Sequence, residues 1–225
     1  MSDGNGSMSG RRPQAAPVGS SGGIPRLVRI AKIVVVAVLA LWIFPALFTA
    51  AVAPNEIGVR TSAVSGVLDE DLAPGWHWRI PSIHKLILLP SSYFMLDYTD
   101  DDKGPQKPLV IRTKDNNTVE LDVSVPLRIK PGEAHALVAA GNHVQDPDGR
   151  FRYQRLAEET TTSVLREEMA TLDSVGFYST DRRLAASEKA LDMLNRQLGA
   201  MHVQAQAVLV RAVRFRPDYE KQLQA

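Results

Sequence analysis

From Ile33 to Ala53 the chain reads IVVVAVLALWIFPALFTAAVA, without a charged side chain. Wound as a helix at about 1.5 Å per residue, such a run is long enough to cross a hydrocarbon core of roughly 30 Å. In lipid a lone segment must satisfy its own backbone hydrogen bonds, which leaves the helix as its form. The pattern predicts a transmembrane helix over 33–53, with Ile33 and Ala53 at its ends, Trp42 inside, and a local kink at Pro45.

Past Pro54 the periodicity shortens. Asn55–Val59, Gly66–Leu68, Trp76–Trp78, Ile83–Leu89 and Tyr93–Asp97 read as short strands, with turns at Ala73-Pro74-Gly75 and Pro90-Ser91-Ser92. The clearest strand is Thr118–Ile129, where Val119, Leu121, Val123, Val125, Leu127 and Ile129 alternate with Glu120, Asp122, Ser124, Pro126 and Arg128. Strict alternation puts one face on a core and the other in water. Pro126 removes a ladder donor and predicts an edge or a bulge at that end. Lys114-Asp115-Asn116-Asn117 supplies turn chemistry, with Leu109–Thr113 as hairpin partner.

The pattern then changes to steps of three and four. Glu133–Ala140 reads as a short helix ended by Gly141. Tyr153, Leu156, Ala157, Thr160, Val164 and Leu165 give a helix over 151–169. Thr180 is the expected N-cap of the next helix, with Leu184, Leu191, Leu194 and Leu198 as its apolar stripe and Gly199 as its end. His202–Phe215 returns to period two, with Val203, Leu209, Val213 and Phe215 on one face, and a further helix opens at Pro217. Strands followed by amphipathic helices and a closing strand make an α+β fold. The expected organisation is a disordered basic tail (1–32), the transmembrane helix (33–53), a sheet-rich half (54–130), a helix-rich half (131–216) and the start of a C-terminal helix (217–225).

Charge sets the orientation of the span. Five cations, Arg11, Arg12, Arg26, Arg29 and Lys32, precede it, whereas the twenty residues after it hold only Arg60. The positive-inside rule places the N-terminus in the cytoplasm and 54–225 on the far side, periplasmic in a bacterium. Two rivals to a single span are a cleaved signal, suggested by Ala51-Val52-Ala53, and a leaflet hairpin turning at Pro45. The leader is long for a signal, Pro54 would follow the cut, and twenty-one residues are few for two passes. With no cysteine in the chain, disulfides and thiolate chemistry are excluded. Net charge of −3 after Ala53 argues against nucleic acid.

The order of these segments resembles the SPFH or band 7 family of stomatins, prohibitins, flotillins and the bacterial HflK/HflC regulators. The resemblance rests on an apolar helix followed by Pro54-Asn55-Glu56-Ile57-Gly58-Val59, then Leu72-Ala73-Pro74-Gly75-Trp76-His77-Trp78-Arg79-Ile80-Pro81. It continues through Thr113-Lys114-Asp115-Asn116, Leu165-Arg166, and Gly199 before a strand ending near Pro217. It covers about 54–225; no one motif in it is specific, and the order and spacing carry it. Pro54, Glu56, Gly58, Pro74, Gly75, His77, Pro81 and Asp115 are then structural family positions. The resemblance implies side-by-side packing into ring or cage assemblies on a membrane, as homo- or hetero-oligomers with other SPFH proteins. It further implies scaffolding of lipid zones or of neighbouring membrane proteins, among them a membrane AAA+ protease, and no catalysis or cofactor. Among subfamilies, an N-terminal span with the domain outside the cytoplasm resembles HflK/HflC and prohibitin more than stomatin. Family members continue after the position of Pro217 in a long charged helix that builds the ring wall, so the short stretch here implies a weaker assembly.

Site chemistry is sparse. Trp76 and Trp78 are candidates for contact with lipid headgroups, since Trp favours the interface. His77, His84, His135, His143 and His202 show no metal-ligand spacing, and no Gly-rich phosphate loop or serine elbow is present. Asp146-Pro147-Asp148-Gly149 and Asp100-Asp101-Asp102 read as solvated turns. Alternating charges on the two long helices make Arg155, Glu158, Arg166 and Arg182 candidate subunit contacts. The competing reading is a non-assembling extracytoplasmic binding module tethered to the membrane, and a membrane-bound hydrolase is the third.

Overall fold

The computed structural model describes residues 24–100 and 106–215, in two compact units that divide after Ala46. Residues 1–23 of the tail expected over 1–32, the Asp101-Asp102 tip and the helix expected from Pro217 lie outside the described residues, while 24–32 of that tail are helical.

The first unit is helix α1, Ile24–Phe48, which carries Pro45 inside it. Its stretch Leu27–Phe48 has mean hydropathy 2.5 and is long and apolar enough to cross a membrane by length and composition. These bounds differ from the expected 33–53. Pro25 suits a first helical turn because its missing donor would be unpaired there anyway, and Arg26, Arg29 and Lys32 do not interrupt a helix. At the other end, Thr49–Val52 is a strand and Ala53, which precedes Pro54, lies outside the helix. An apolar run shows hydrophobicity, and it was strand pairing, invisible in that run, that ended the helix.

The second unit runs from the end of α1 through β1 (Thr49–Val52), β2 (Glu56–Ser62), β3 (Gly66–Leu72), β4 (Gly75–Trp78), β5 (His84–Pro90), β6 (Phe94–Tyr98), β7 (Leu109–Arg112) and β8 (Thr118–Ile129). Helices α2 (Ala134–Ala139), α3 (Arg152–Met169), α4 (Ser174–Tyr178) and α5 (Thr180–Gly199) follow, then β9 (Val203–Ala205) and β10 (Leu209–Phe215). All strand pairing in the sheets is antiparallel. β1 and β4 form a two-stranded ribbon, β3-β2-β5 a three-stranded sheet, and β6, β7, β9 and β10 all pair with β8.

β8 has the predicted bounds and is the centre of the core. Val119, Leu121, Val123, Val125 and Leu127 are fully buried, each contributing about 1.5–3 kcal/mol by area. Of the edge or bulge expected at Pro126 the edge is not found, and the register against β8 shifts by one residue there, between Leu127↔Ala205 and Ser124↔Leu209. The strand is flanked on both sides, but Pro126 falls at the gap between β9 and β10, where Gln206 N–H donates to its carbonyl at 2.9 Å. A missing donor is tolerated where the neighbouring strand is itself interrupted.

That interruption also explains a second difference. Val203–Phe215 is two strands, with a register shift between Val210 and Ala212, and Leu209 turns outward at 50% exposure. Since β9 and β10 pair with β8, the five-stranded sheet joins residues from both sides of position 130. On α5 the N-cap is Ser179, not Thr180, and Leu184 is exposed; the buried stripe is Ala186, Ser187, Ala190, Leu194 and Leu198. Small residues on that stripe let α5 lie close to α3, a feature that a search for leucines misses.

Candidate functional site

The β1–β4 ribbon begins where α1 ends. Its register sets Thr49 opposite Trp78 and Ala51 opposite Trp76, and Arg79 N–H donates to Phe48 carbonyl at 2.8 Å. Alternation along β4 puts both indoles on one face, 75% and 63% exposed for Trp76 and Trp78, with Ile80 and Ile83 also exposed. His77 turns the other way, its Nε2 2.6 Å from the carbonyl of Ala73. Gly75 enters the strand at φ +141°, which a side chain rarely adopts, and this turn is what aims the pair of indoles.

Family positions around the ribbon are structural in their contacts. Glu56 accepts from Ala53 N–H at 3.4 Å, closing the turn after β1. At Gly58 a Cβ would come within 2.7 Å of Val52 Cγ2, so the close approach of β1 to β2 requires glycine. Pro54 and Pro74 sit exposed in turns; Pro81 precedes Ser82, itself at φ +69°.

Two carboxylates tie distant elements together. Asp71 at the end of β3 accepts from Ala134 N–H at 2.9 Å and His135 N–H at 2.8 Å, with His135 Nδ1 at 3.0 Å. It satisfies the first turn of α2, whose own N-cap, Glu133, makes no capping bond. Asp115, between β7 and β8, accepts from the Thr113 hydroxyl at 2.6 Å, from Asn117 Nδ2 at 3.0 Å and from Ser174 N–H at 3.1 Å. The Thr113 bond first, and then those from Ser174, hold its carboxyl well below the usual range, at about 2. Asp71 was not singled out in the sequence. The available signal was indirect: a helix start after Pro131-Gly132 without a capping side chain needs an acceptor from elsewhere.

Three of the four candidate subunit contacts have an ion-pair partner within the chain. Arg155 lies 3.2 Å from Asp146, Glu158 pairs with Arg150, and Arg182 lies 3.5 Å from Asp173. Arg166 is exposed. Four histidines have separate attachments: His77 to Ala73, His84 to Ile80 N–H, His135 to Asp71 and His202 to Glu133. Among the described residues no three His, Asp or Glu side chains gather as a metal site. An open groove of about 350 Å³ beside β9 is lined by Lys130, Leu191, Asn195 and Gln204, but Lys130 is paired with Glu133 and Asn195 with the backbone of Ala205.

An apolar helix long enough to cross a membrane by length and composition leads into an α+β domain whose described polar groups mostly fasten its own elements. The profile described as SPFH domain / Band 7 family matches residues 50–225, and the chain belongs to that family. Members are generally membrane-associated, oligomeric and non-enzymatic. The match begins inside β1, in agreement with the pairing that makes this strand part of the domain. A comparison with curated proteins found no match.

Proposed function

We propose that this chain is a single-pass membrane scaffold subunit that assembles with itself or with other SPFH proteins. Its role is to organise lipid or regulate neighbouring membrane proteins, a membrane AAA+ protease being one candidate client. The N-terminus lies in the cytoplasm and the SPFH domain on the opposite side. The cation asymmetry about the apolar helix supports this orientation.

The observation that carries the reading is the direct run of α1 into β1, paired with the strand that bears Trp76 and Trp78. Indoles combine an apolar body with a polar N–H and favour the headgroup level. Val52 is buried, so cleavage after Ala53 would remove a strand of the folded domain; this supports an uncleaved chain. The test uses a Trp42→Phe chain in vesicles containing brominated lipid. Fluorescence from Trp76 and Trp78 is expected to be quenched most by bromines near the headgroups. Absence of quenching from every bromine position, together with a soluble product starting at Pro54, would overturn the anchored reading.

A further inference from the structure

Strand edges invite pairing, and most described edges here carry a device against it. β3 is bulged between Val59 and Thr61 of its partner strand, presents Asp69 and Glu70 there, and is tied to α2 through Asp71. β10 is bulged at Arg211. The edge of β9 is occupied by Asn195, whose amide bonds both N–H and C=O of Ala205. One end of β6 is closed by the Tyr98–Gln106 bridge, while β1, β4 and β7 span four residues each.

β5 is different. It pairs with β2 over seven residues without a register shift, and its other side has no strand partner among the described residues. It reads His-Lys-Leu-Ile-Leu-Leu-Pro, with Leu88 exposed at 41%.

Its outward backbone groups follow from the ladder. Ala63 N–H donates to Ile83 carbonyl and Ser91 N–H to Asn55 carbonyl, in line with the register Glu56↔Pro90 to Ser62↔His84. Residues 83, 85, 87, 89 and 91 therefore turn their backbone groups to β2, and His84, Leu86, Leu88 and Pro90 face away. His84 N–H is already donated to Ile80 carbonyl at 2.9 Å, and proline has none. The outward donors are those of Leu86 and Leu88.

We propose that this edge pairs antiparallel with β5 of a second copy, centred on Ile87. In that register Leu86 faces Leu88 of the partner copy, and each of the two such pairs exchanges two N–H···O=C bonds. Ile87 faces Ile87, and Lys85 falls opposite Leu89, so no like charges meet. The open stretch ends on one side at proline and on the other at a donor already used, matching the length that self-pairing requires. A second copy is the occupant because the edge is self-complementary in leucine, hydrogen bonds and charge, and because an apolar anchor confines copies to one surface. The inference rests on the scaffold reading and names the surface through which copies join.

The chain has no cysteine, so single cysteines report cleanly. Full-length Ile87→Cys in vesicles under mild oxidation is expected to form a disulfide dimer. The facing Cα atoms of a non-hydrogen-bonded pair lie about 4.5 Å apart, within disulfide reach. Lys85→Cys, whose copies stand on the order of 13 Å apart along the strands, is expected to cross-link roughly tenfold less. Leu86→Lys with Leu88→Lys, added to Ile87→Cys, sets like charges opposite each other and is expected to lower its yield by roughly tenfold. Leu88→Pro, which removes an outward donor but none of the bonds to β2, is expected to act in the same direction. If Ile87→Cys cross-links no better than Lys85→Cys while an amine-reactive reagent still joins copies, the β5 proposal fails and the scaffold reading stands. If neither reagent joins copies, both fail.

Discussion

Removing the Asp71 carboxylate tests whether the three-stranded sheet is held to the rest of the domain as described. In Asp71→Ala the first-turn N–H groups of Ala134 and His135 lose their acceptor, and the His135 ring loses its partner. The Asp71 side chain is 14% exposed, so water replaces it only in part. Loss of a capping acceptor costs about 0.5–2 kcal/mol for one donor, and here two donors depend on one group, so a total of about 2–3 kcal/mol is expected. For a domain of this size that lowers Tm by about 4–12 °C. The assay is thermal unfolding of the full chain in mild detergent, followed by far-UV circular dichroism. Asp69→Ala, two residues away and exposed, is the control and should stay within about 0.5 kcal/mol of the native chain. Equal Tm values for the two variants would refute the tie between β3 and α2.

Gly58→Ala is expected to destabilise by about 1–3 kcal/mol, because its Cβ would press on Val52 Cγ2, and Val52→Ala in the same chain should restore part of the loss. Paired denaturant titrations of the single and double variants decide this. Val123→Asp places a carboxylate in a fully buried site on β8 and should abolish the cooperative transition. Asp122→Ala should show a smaller, measurable loss, because Asp122 pairs with Arg214; circular dichroism on both separates the two faces of the strand. The carboxyl of Asp115 is depressed to about 2, so it stabilises the fold above the ordinary carboxylate range, and that contribution disappears as pH falls from about 4 through 2. Asp115→Asn should therefore flatten the acid limb of a stability-against-pH curve and leave the slope above pH 5 unchanged.

Much of the domain was legible where a local period is strict. The alternation of Val119 to Ile129 gave β8 its bounds because its apolar face is wholly buried, and the buried Tyr153, Ala157, Val164 and Leu165 marked α3. Legibility failed where distant partners decide. The end of α1 at Phe48 depends on β4, about thirty residues on, and the apolar run continues through it unchanged. The break at Gln206–Val208 leaves the alternation of Val203 to Phe215 formally intact, so only the register against β8 reveals it. The ion-pair partners of Arg155, Glu158 and Arg182 were not legible from the helix pattern, because Asp146, Arg150 and Asp173 lie in loops. The short strand at Trp76–Trp78 was legible from its alternation, whereas the pairing of its indoles opposite Ala51 and Thr49 required the ribbon.

The central claim, that this chain is a membrane scaffold subunit, is tested most directly by the mass of the full chain in native-like bilayer discs across a range of protein density. The expected result is a dimer whose share grows with density and which gives way to the monomer when Leu86 and Leu88 are both replaced by lysine. A chain that remains monomeric at the highest density, with or without those replacements, would contradict it.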